Sequence, residues 1–263
     1  MKLTKINKVI SNLFNEVNCT NCNLDSIRLI RPENVANFTK EIFVNFNLDT
    51  TITTENILTS ELYFFGMKWM NNTPVIIRLY GCYQRTPGVK TRRLLAVTYM
   101  TNTKQEYEVF NVKSSVKELE DARTIQFSLT LSYSNDTLVE FSIDECFLVL
   151  KLISSNLHQH QQQELLNANA LPSTCQLVSH AINNTSTILL PKDFTINVCS
   201  GFCANNISDL TNHVKFLRVF NIKITPCCVP RWYLPLTIAY CDKYDNVVIR
   251  KYFNANAVSC ECR

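Results

Sequence analysis

The feature that most constrains this chain is the spacing of cysteines near its end. Eight of its twelve cysteines fall in the last 89 of 263 residues. Cys175 is followed after 23 residues by Cys199-Ser-Gly-Phe-Cys203, after another 23 by the adjacent pair Cys227 and Cys228, and after 31 more by Cys260-Glu-Cys262. This density is typical of a small secreted domain, which is too short to rely on a hydrophobic core and is held by disulfides.

One pairing of these cysteines gives a specific topology. If Cys199 pairs with Cys260 and Cys203 with Cys262, the two bridges and the residues between them close a ring of eight residues. A third bridge, from Cys175 to Cys228, can pass through this ring only where its wall lacks a side chain. Gly201, one of only four glycines, meets that need because it has no Cβ and tolerates unusual φ/ψ angles. The arrangement is a cystine knot.

The order CxGxC, CC and CxCR resembles the transforming growth factor beta superfamily of secreted ligands. The sequences TPCCVP and YCDKYDNVVIRKYFNANAVSCECR are similar to that family's second finger. LLPKDFTINVCSGFC and NHVKFLRVF look most like the anti-Müllerian hormone branch, while the second finger looks equally like the bone morphogenetic proteins. The resemblance covers the 89 residues from Cys175 and implies two β-fingers and one wrist helix.

The resemblance also implies roles for individual residues. Cys228 closes the threading bridge, and Cys227 is the interchain cysteine of a homodimer. Apolar residues at helical spacing form the wrist helix, which docks on the partner and contributes to the type I receptor site: Leu210, Val214, Leu217 and Phe220. The type II receptor site on the convex side of the fingers comprises Leu234, Thr237, Ala239 and Ile249. The alternatives are a helix that packs on its own subunit and an ordinary half-buried sheet.

The first half of the chain predicts a different kind of domain. Short β-branched and aromatic stretches from about Glu41 to Ser154 indicate an antiparallel β-sandwich, and the first 18 residues have the periodicity of an amphipathic helix. FVNFNLDTTITTENILTSELYFF and YEVFNVKSSV resemble the family's propeptide. We therefore expect a mainly β chain with a propeptide-like domain over residues 1–155, a polar linker over 156–174 and a cystine-knot growth factor domain over 175–263.

Several features bear on compartment and partners. The net charge of +4 without a basic tract argues against nucleic-acid binding, and no apolar run is long enough for a membrane span. The sequence predicts a secreted glycoprotein with N-glycosylation at Asn18, Asn37, Asn71, Asn135, Asn183 and Asn206. The amphipathic start is not a signal peptide, so either the signal is missing from this version of the chain or the start site is misassigned.

Two departures from the family pattern leave alternatives open. Residues 152–174 contain no Lys or Arg, so the usual furin-like cleavage site is missing, and the comparable Lys90-Thr-Arg-Arg93 precedes a strand. Five cysteines lie outside the knot and the interchain position, and their pairing is undecided: Cys19, Cys22, Cys82, Cys146 and Cys241. We expect no cofactor, since His158 and His160 in the linker lack the other ligands of a metal site.

The predicted function is a dimeric ligand that assembles type I and type II receptor serine/threonine kinases and triggers Smad signalling. Its predicted partners are a second copy, these receptors and its own propeptide. The alternative is an uncleaved antagonist or carrier that sequesters a related ligand or receptor. An enzyme is not expected, because the cysteines are accounted for by bridges and the four histidines form no motif.

Overall fold

The computed structural model of the chain describes residues 2–19, 24–49, 52, 56–70, 73–86, 89–101, 106–117, 124–153, 175–183, 187–203 and 227–262. The described part is mainly β. Residues 1–155 with 241–249 form one compact unit, and residues 156–240 with 250–263 form the other. The polar segment predicted as a linker, residues 156–174, lies outside the described residues.

The first unit begins with a helix, α1 (Lys2–Asn18). Its apolar residues recur every three to four positions, and Val9, Ile10, Leu13 and Val17 are buried. An ion pair of 2.7 Å between Lys151 and Glu16 fixes the helix to a strand of the same unit. The amphipathic helix expected from the sequence is therefore present, with its apolar face covered.

Twelve strands and a short helix follow in this unit. They are β1 (Ser26–Ile30), β2 (Asn34–Phe38), β3 (Glu41–Asn47), β4 (Ile57–Phe65), β5 (Lys68–Trp69), β6 (Val75–Thr86), β7 (Val89–Met100), β8 (Tyr107–Asn111), α2 (Lys113–Lys117), β9 (Thr124–Ser132), β10 (Leu138–Val139), β11 (Phe141–Ser142) and β12 (Glu145–Leu152). Two antiparallel arrays contain most of these strands. The strand order of the first is β1-β12-β4-β8, and that of the second is β2-β3-β9-β6-β7. A separate pair consists of β5 and β11.

One hydrophobic core holds these strands together. It takes alternate residues from both arrays, as period-2 apolar patterns require. Phe46 packs edge-on against Phe127 and Phe64 against Phe110, with ring centroids 6.2 and 6.0 Å apart. Phe46, Phe64 and Phe127 have no exposed surface. The first unit is thus stabilised by conventional burial of apolar side chains.

The second unit contains β13 (Gln176–Asn183), β14 (Ile188–Leu190), β15 (Asp193–Ser200), most of β16 (Cys228–Cys241) and most of β17 (Val247–Cys262). β13 pairs with β15, and β16 lies between β14 and β17. Among the described residues of this unit, few apolar side chains are buried: Cys203, Ala239, Ala257 and Cys262. Two of these residues are knot cysteines, so disulfides stabilise this unit in the way that buried apolar side chains stabilise the first.

Candidate functional site

Three disulfides connect the strands of the second unit. Cys199 is bonded to Cys260, Cys203 to Cys262 and Cys175 to Cys228, the same pairs that close and thread the expected ring. Their Cα atoms are 5.7, 5.7 and 5.4 Å apart, within the usual range for a disulfide. The cysteines lie just before β13, at and just after the end of β15, at the start of β16 and at the end of β17, so the bridges connect strands that are distant in sequence.

The third bridge lies against the ring formed by the other two. The sulfur atoms of Cys175, Cys203 and Cys262 all lie within 4.8 Å of one another. The sulfur of Cys175 is 3.7 Å from the carbonyl oxygen of Glu261, which is a member of the ring. Because all three sulfurs are already in disulfides, this cluster has no thiolate to offer a metal ion.

Gly201 has a backbone conformation that other residues rarely adopt. Its φ is +128°, in a region where an L-residue's Cβ clashes with the backbone. Because Gly201 has no Cβ, the ring wall of the predicted knot leaves room there for the Cys175–Cys228 bridge. The φ angle gives a separate reason for glycine at this position, beside the prediction that the ring wall has no room for a side chain.

Asn197 on β15 is a structural residue that the cysteine pattern did not reveal. Its side-chain amide donates to the carbonyl of Ala257 at 3.2 Å, and its backbone N–H donates to Asn256 Oδ1 at 2.8 Å. Its Oδ1 accepts from Ser179 on β13 at 2.7 Å. One asparagine therefore links β13, β15 and β17 two residues before the knot. The only signal in the sequence is a polar residue between the apolar residues Ile196 and Val198 of the strand.

Cys227 is exposed and directly precedes the threading cysteine Cys228. It belongs to none of the three knot disulfides. The knot fixes the backbone at Cys228 and so holds its neighbour at the surface of the unit. This position is accessible to a second chain.

The four residues expected at the type II receptor site do not form one exposed patch. Leu234 is 56% exposed, and its neighbour Tyr233 is 43% exposed. Thr237, Ala239 and Ile249 are buried. Successive side chains of a strand point to opposite faces, so Leu234 lies on the other face of β16 from Thr237 and Ala239. The expected exposure therefore holds for Leu234 and fails for the other three.

Other predicted residues fall both inside and outside the described part. The wrist-helix residues Leu210, Val214, Leu217 and Phe220 lie outside it, as do the sequon residues Asn71 and Asn206. The remaining sequon asparagines are exposed, as glycan acceptors must be: Asn18, Asn37, Asn135 and Asn183.

The cysteines outside the knot differ in environment. Cys19 is disulfide-bonded, and Cys22 lies outside the described residues. Cys146 is buried on β12, where desolvation, with a smaller contribution from the Glu145 charge, raises its thiol pKa to about 12. Cys241 is partly buried, and desolvation raises its thiol pKa. Cys82 is partly buried on β6. The raised thiol pKa values of Cys146 and Cys241 are the opposite of the lowered pKa that marks a reactive thiol.

Comparison with known proteins agrees with this geometry. Residues 173–262 match the family described as transforming growth factor beta like domain. The chain is 36% identical to Protein DVR-1 of Danio rerio over 84 residues, which are 29% of this chain and 24% of that protein. It is 34% identical over 91 residues to Protein dbl-1 of Caenorhabditis elegans, covering 31% of this chain and 25% of the relative.

A third relative is Bone morphogenetic protein 3 of Homo sapiens, 33% identical over 85 residues, which are 29% of this chain and 18% of that protein. The matched stretch thus spans about a quarter or less of the length of these relatives. The residues that match the family model, 173–262, include all six knot cysteines. Residues 173–262 are therefore a transforming growth factor beta like domain, the kind of domain that the cysteine pattern resembles.

Proposed function

We propose that this chain is a secreted, disulfide-linked homodimeric growth factor that assembles type I and type II receptor serine/threonine kinases and triggers Smad signalling. The observation that carries the proposal is a set of three disulfides with the pairing of a cystine knot, inside a transforming growth factor beta like domain and with Cys227 exposed beside them. Growth factors of this superfamily are ligands and not enzymes, so their activity depends on surfaces.

The small core of the second unit supports the proposed dimer. Its described residues bury little apolar surface apart from the knot, and a partner subunit would supply the missing burial. Cys227 would add a covalent link. We expect the secreted Cys227→Ser variant to migrate as a monomer on a non-reducing gel, whereas Cys241→Ser, the matched control outside the knot, stays dimeric. A covalent dimer in the Cys227→Ser variant would contradict this assignment.

Receptor contact is proposed at the exposed side chain of Leu234. An exposed apolar side chain on a strand is a suitable anchor for a partner protein, and Leu234 is such a residue. The neighbouring Tyr233 is also exposed, but it lies on the opposite face of β16. Leu234→Ala should weaken type II receptor binding by roughly tenfold or more, the loss typical of an interface anchor. Leu177→Ala on β13, which is 37% exposed, is the control and should leave binding unchanged. Equal loss in both variants would count against a site at Leu234.

The first unit is proposed to be a propeptide-like domain of the same precursor, with an antiparallel sandwich and an N-terminal helix. Two features support this proposal: the sequences resembling the family propeptide and the amphipathic helix α1 packed on the strands of this unit. Co-expression of residues 1–155 with the growth factor domain as separate chains tests it. Recovery of the two as one complex is expected.

An uncleaved antagonist or carrier is the second candidate, favoured by the position of the basic sequence. Arg92 and Arg93 lie within β7, paired with Cys82 and Gly81 of β6. Arg92 also binds Glu41 at 2.8 Å and stacks on Tyr80 with 3.6 Å between Cζ and the ring centroid. A protease needs an accessible, unpaired segment, so this site is protected.

Two measurements separate the candidates. An immunoblot of the secreted, reduced protein should show the full-length chain, and a C-terminal fragment near 10 kDa produced by furin would contradict the uncleaved state. Smad phosphorylation in cells treated with the dimer supports the growth factor. A dimer that only lowers the signal of an added ligand supports the antagonist.

A further inference from the structure

A cavity of about 350 Å³ opens at one edge of the first unit. Its lining comes from two segments, residues 31–37 and residues 143–147. The first segment includes β2, which is the edge strand of the array β2-β3-β9-β6-β7 and therefore has no strand on its outer side within that array. Asn37, the acceptor of the sequon Asn37-Phe-Thr39, is exposed and is one of the lining residues.

The chemistry of the lining suits a sugar. Val35, Ile143 and Phe147 supply apolar surface, and Val35 remains 37% exposed. Arg31, whose Cζ is 5.7 Å from the centre of the Phe147 ring, offers hydrogen-bond donors, and the Glu145 carboxylate offers acceptors. An apolar surface with a few polar groups is the usual composition of a site for a small organic ligand, and this volume lies at the small end of such sites.

We propose that Asn37 carries an N-linked glycan whose first N-acetylglucosamine occupies this cavity. Attachment forms a bond between the Asn37 amide nitrogen and the anomeric carbon of a polyprenyl-diphosphate-linked oligosaccharide. The polyprenyl diphosphate leaves with the electron pair of the broken bond, and the amide nitrogen loses one proton. The inference rests on the proposed secretion, because this glycosylation takes place in the secretory pathway.

Asn135 is the natural comparison within the same unit. It lies in the exposed turn after β9, where its Oδ1 accepts from the backbone N–H of Thr137 at 3.1 Å. A glycan there would project from a turn, whereas a glycan on Asn37 starts at the mouth of a cavity. The seated glycan buries the apolar lining and should stabilise the folded unit, while the projecting one should contribute little.

The experiment compares Thr39→Ala with Thr137→Ala in the full chain secreted from animal cells. Both threonines are exposed, and each substitution removes one sequon without changing its asparagine. Peptide mass spectrometry should find Asn37 occupied in the unaltered protein. Thr39→Ala should lower the Tm of the first unit by about 2–4 °C, and Thr137→Ala by much less. Thr39→Ser, which keeps the sequon, should restore the Tm.

A second readout is the buried thiol at the cavity lining. Cys146 is 3% exposed, and a sugar above it would protect it further. Thr39→Ala should speed alkylation at the Cys146 peptide relative to both Thr137→Ala and Thr39→Ser. Trimming the glycan to its first N-acetylglucosamine should leave both readouts unchanged, because only that sugar occupies the cavity.

Three outcomes would overturn the inference. Asn37 unoccupied while Asn135 carries a glycan refutes it and leaves secretion intact. Equal Tm losses in Thr39→Ala and Thr137→Ala refute the seated sugar even though both sites are occupied. A chain that stays inside the cell with every sequon unoccupied removes both this inference and the proposed secreted ligand.

Discussion

The two units of this molecule reach stability by different routes. The first buries aromatic and branched side chains of two strand arrays in one core, with Phe46, Phe64 and Phe127 fully enclosed. The described part of the second has few buried apolar residues and three disulfides within a short stretch of chain. A disulfide stabilises mainly by lowering the conformational entropy of the unfolded chain, whereas core packing stabilises through contacts in the folded chain. The two units should therefore respond to different perturbations.

Reduction of the disulfides is the strongest test of this difference. Each bridge in a small secreted domain contributes about 2–5 kcal/mol, so losing all three should unfold the second unit completely. Hydrogen exchange resolved by mass spectrometry should show β13, β15, β16 and most of β17 losing protection in reductant, while β3, β4 and β9 keep theirs. Retained protection of β13 and β15 after full reduction would mean that packing, and not the knot, holds this unit.

Replacement of Gly201 should have nearly as large an effect on the same unit. Gly201→Ala places a Cβ in the ring wall at a φ of +128°, so the threaded pairing should fail and its cysteines should pair wrongly. Ser200→Ala, at the exposed neighbouring position, is the control and should keep all three native bridges. Disulfide mapping of non-reduced peptides measures this. If Gly201→Ala still formed all three native disulfides, the claim that the ring has no room for a side chain at this position would be wrong.

A core substitution in the first unit should give the opposite result. Phe127→Ala leaves a cavity among fully buried side chains and should lower the free energy of unfolding of that unit by about 3–5 kcal/mol, with the knot still formed. Phe38→Ala removes the same side chain at a position that is 60% exposed, so its effect should be small. Denaturant titration with disulfide mapping tests both. Loss of the knot in Phe127→Ala would show that the units do not fold independently.

Sequence reasoning was most successful where a pattern is local and repetitive. The β-branched and aromatic stretches between about Glu41 and Ser154 predicted a β-rich region, which contains β3 to β12, and the helical spacing of the first residues predicted α1. The pairing assumed for the cystine knot, which the resemblance of CxGxC, CC and CxCR to the family supports, is the pairing that the structure contains. Strands β1 and β2 were missed, since Arg31, Pro32 and the asparagines around them interrupt the apolar pattern.

Exposure of single side chains was predicted less well. Leu234 and Ala239 are both apolar residues of β16, yet one is 56% exposed and the other is buried. Their burial depends on strand parity and on what packs on each face, which local composition does not encode. Asn197 was missed for a related reason, since its partners are 18 to 60 residues away in sequence.

The smallest expected effect concerns a carboxyl group of the first unit. Glu108 lies on β8 opposite the buried Phe64, and desolvation raises its pKa in the folded state. A raised pKa means that the folded state favours the protonated carboxyl group. The contribution of protonated Glu108 to the free energy of unfolding is therefore complete below the unfolded pKa of about 4.3 and is lost as the pH rises through the folded pKa. Glu108→Gln, which is never charged, should therefore raise the Tm of the first unit slightly at neutral pH. The difference from the unaltered protein should disappear near pH 4. Glu108 lies in the unit that depends on burial, so Glu108→Gln should leave the stability of the disulfide-held unit equal to that of the unaltered protein at every pH. A change in the stability of that second unit would contradict the independence of the two units.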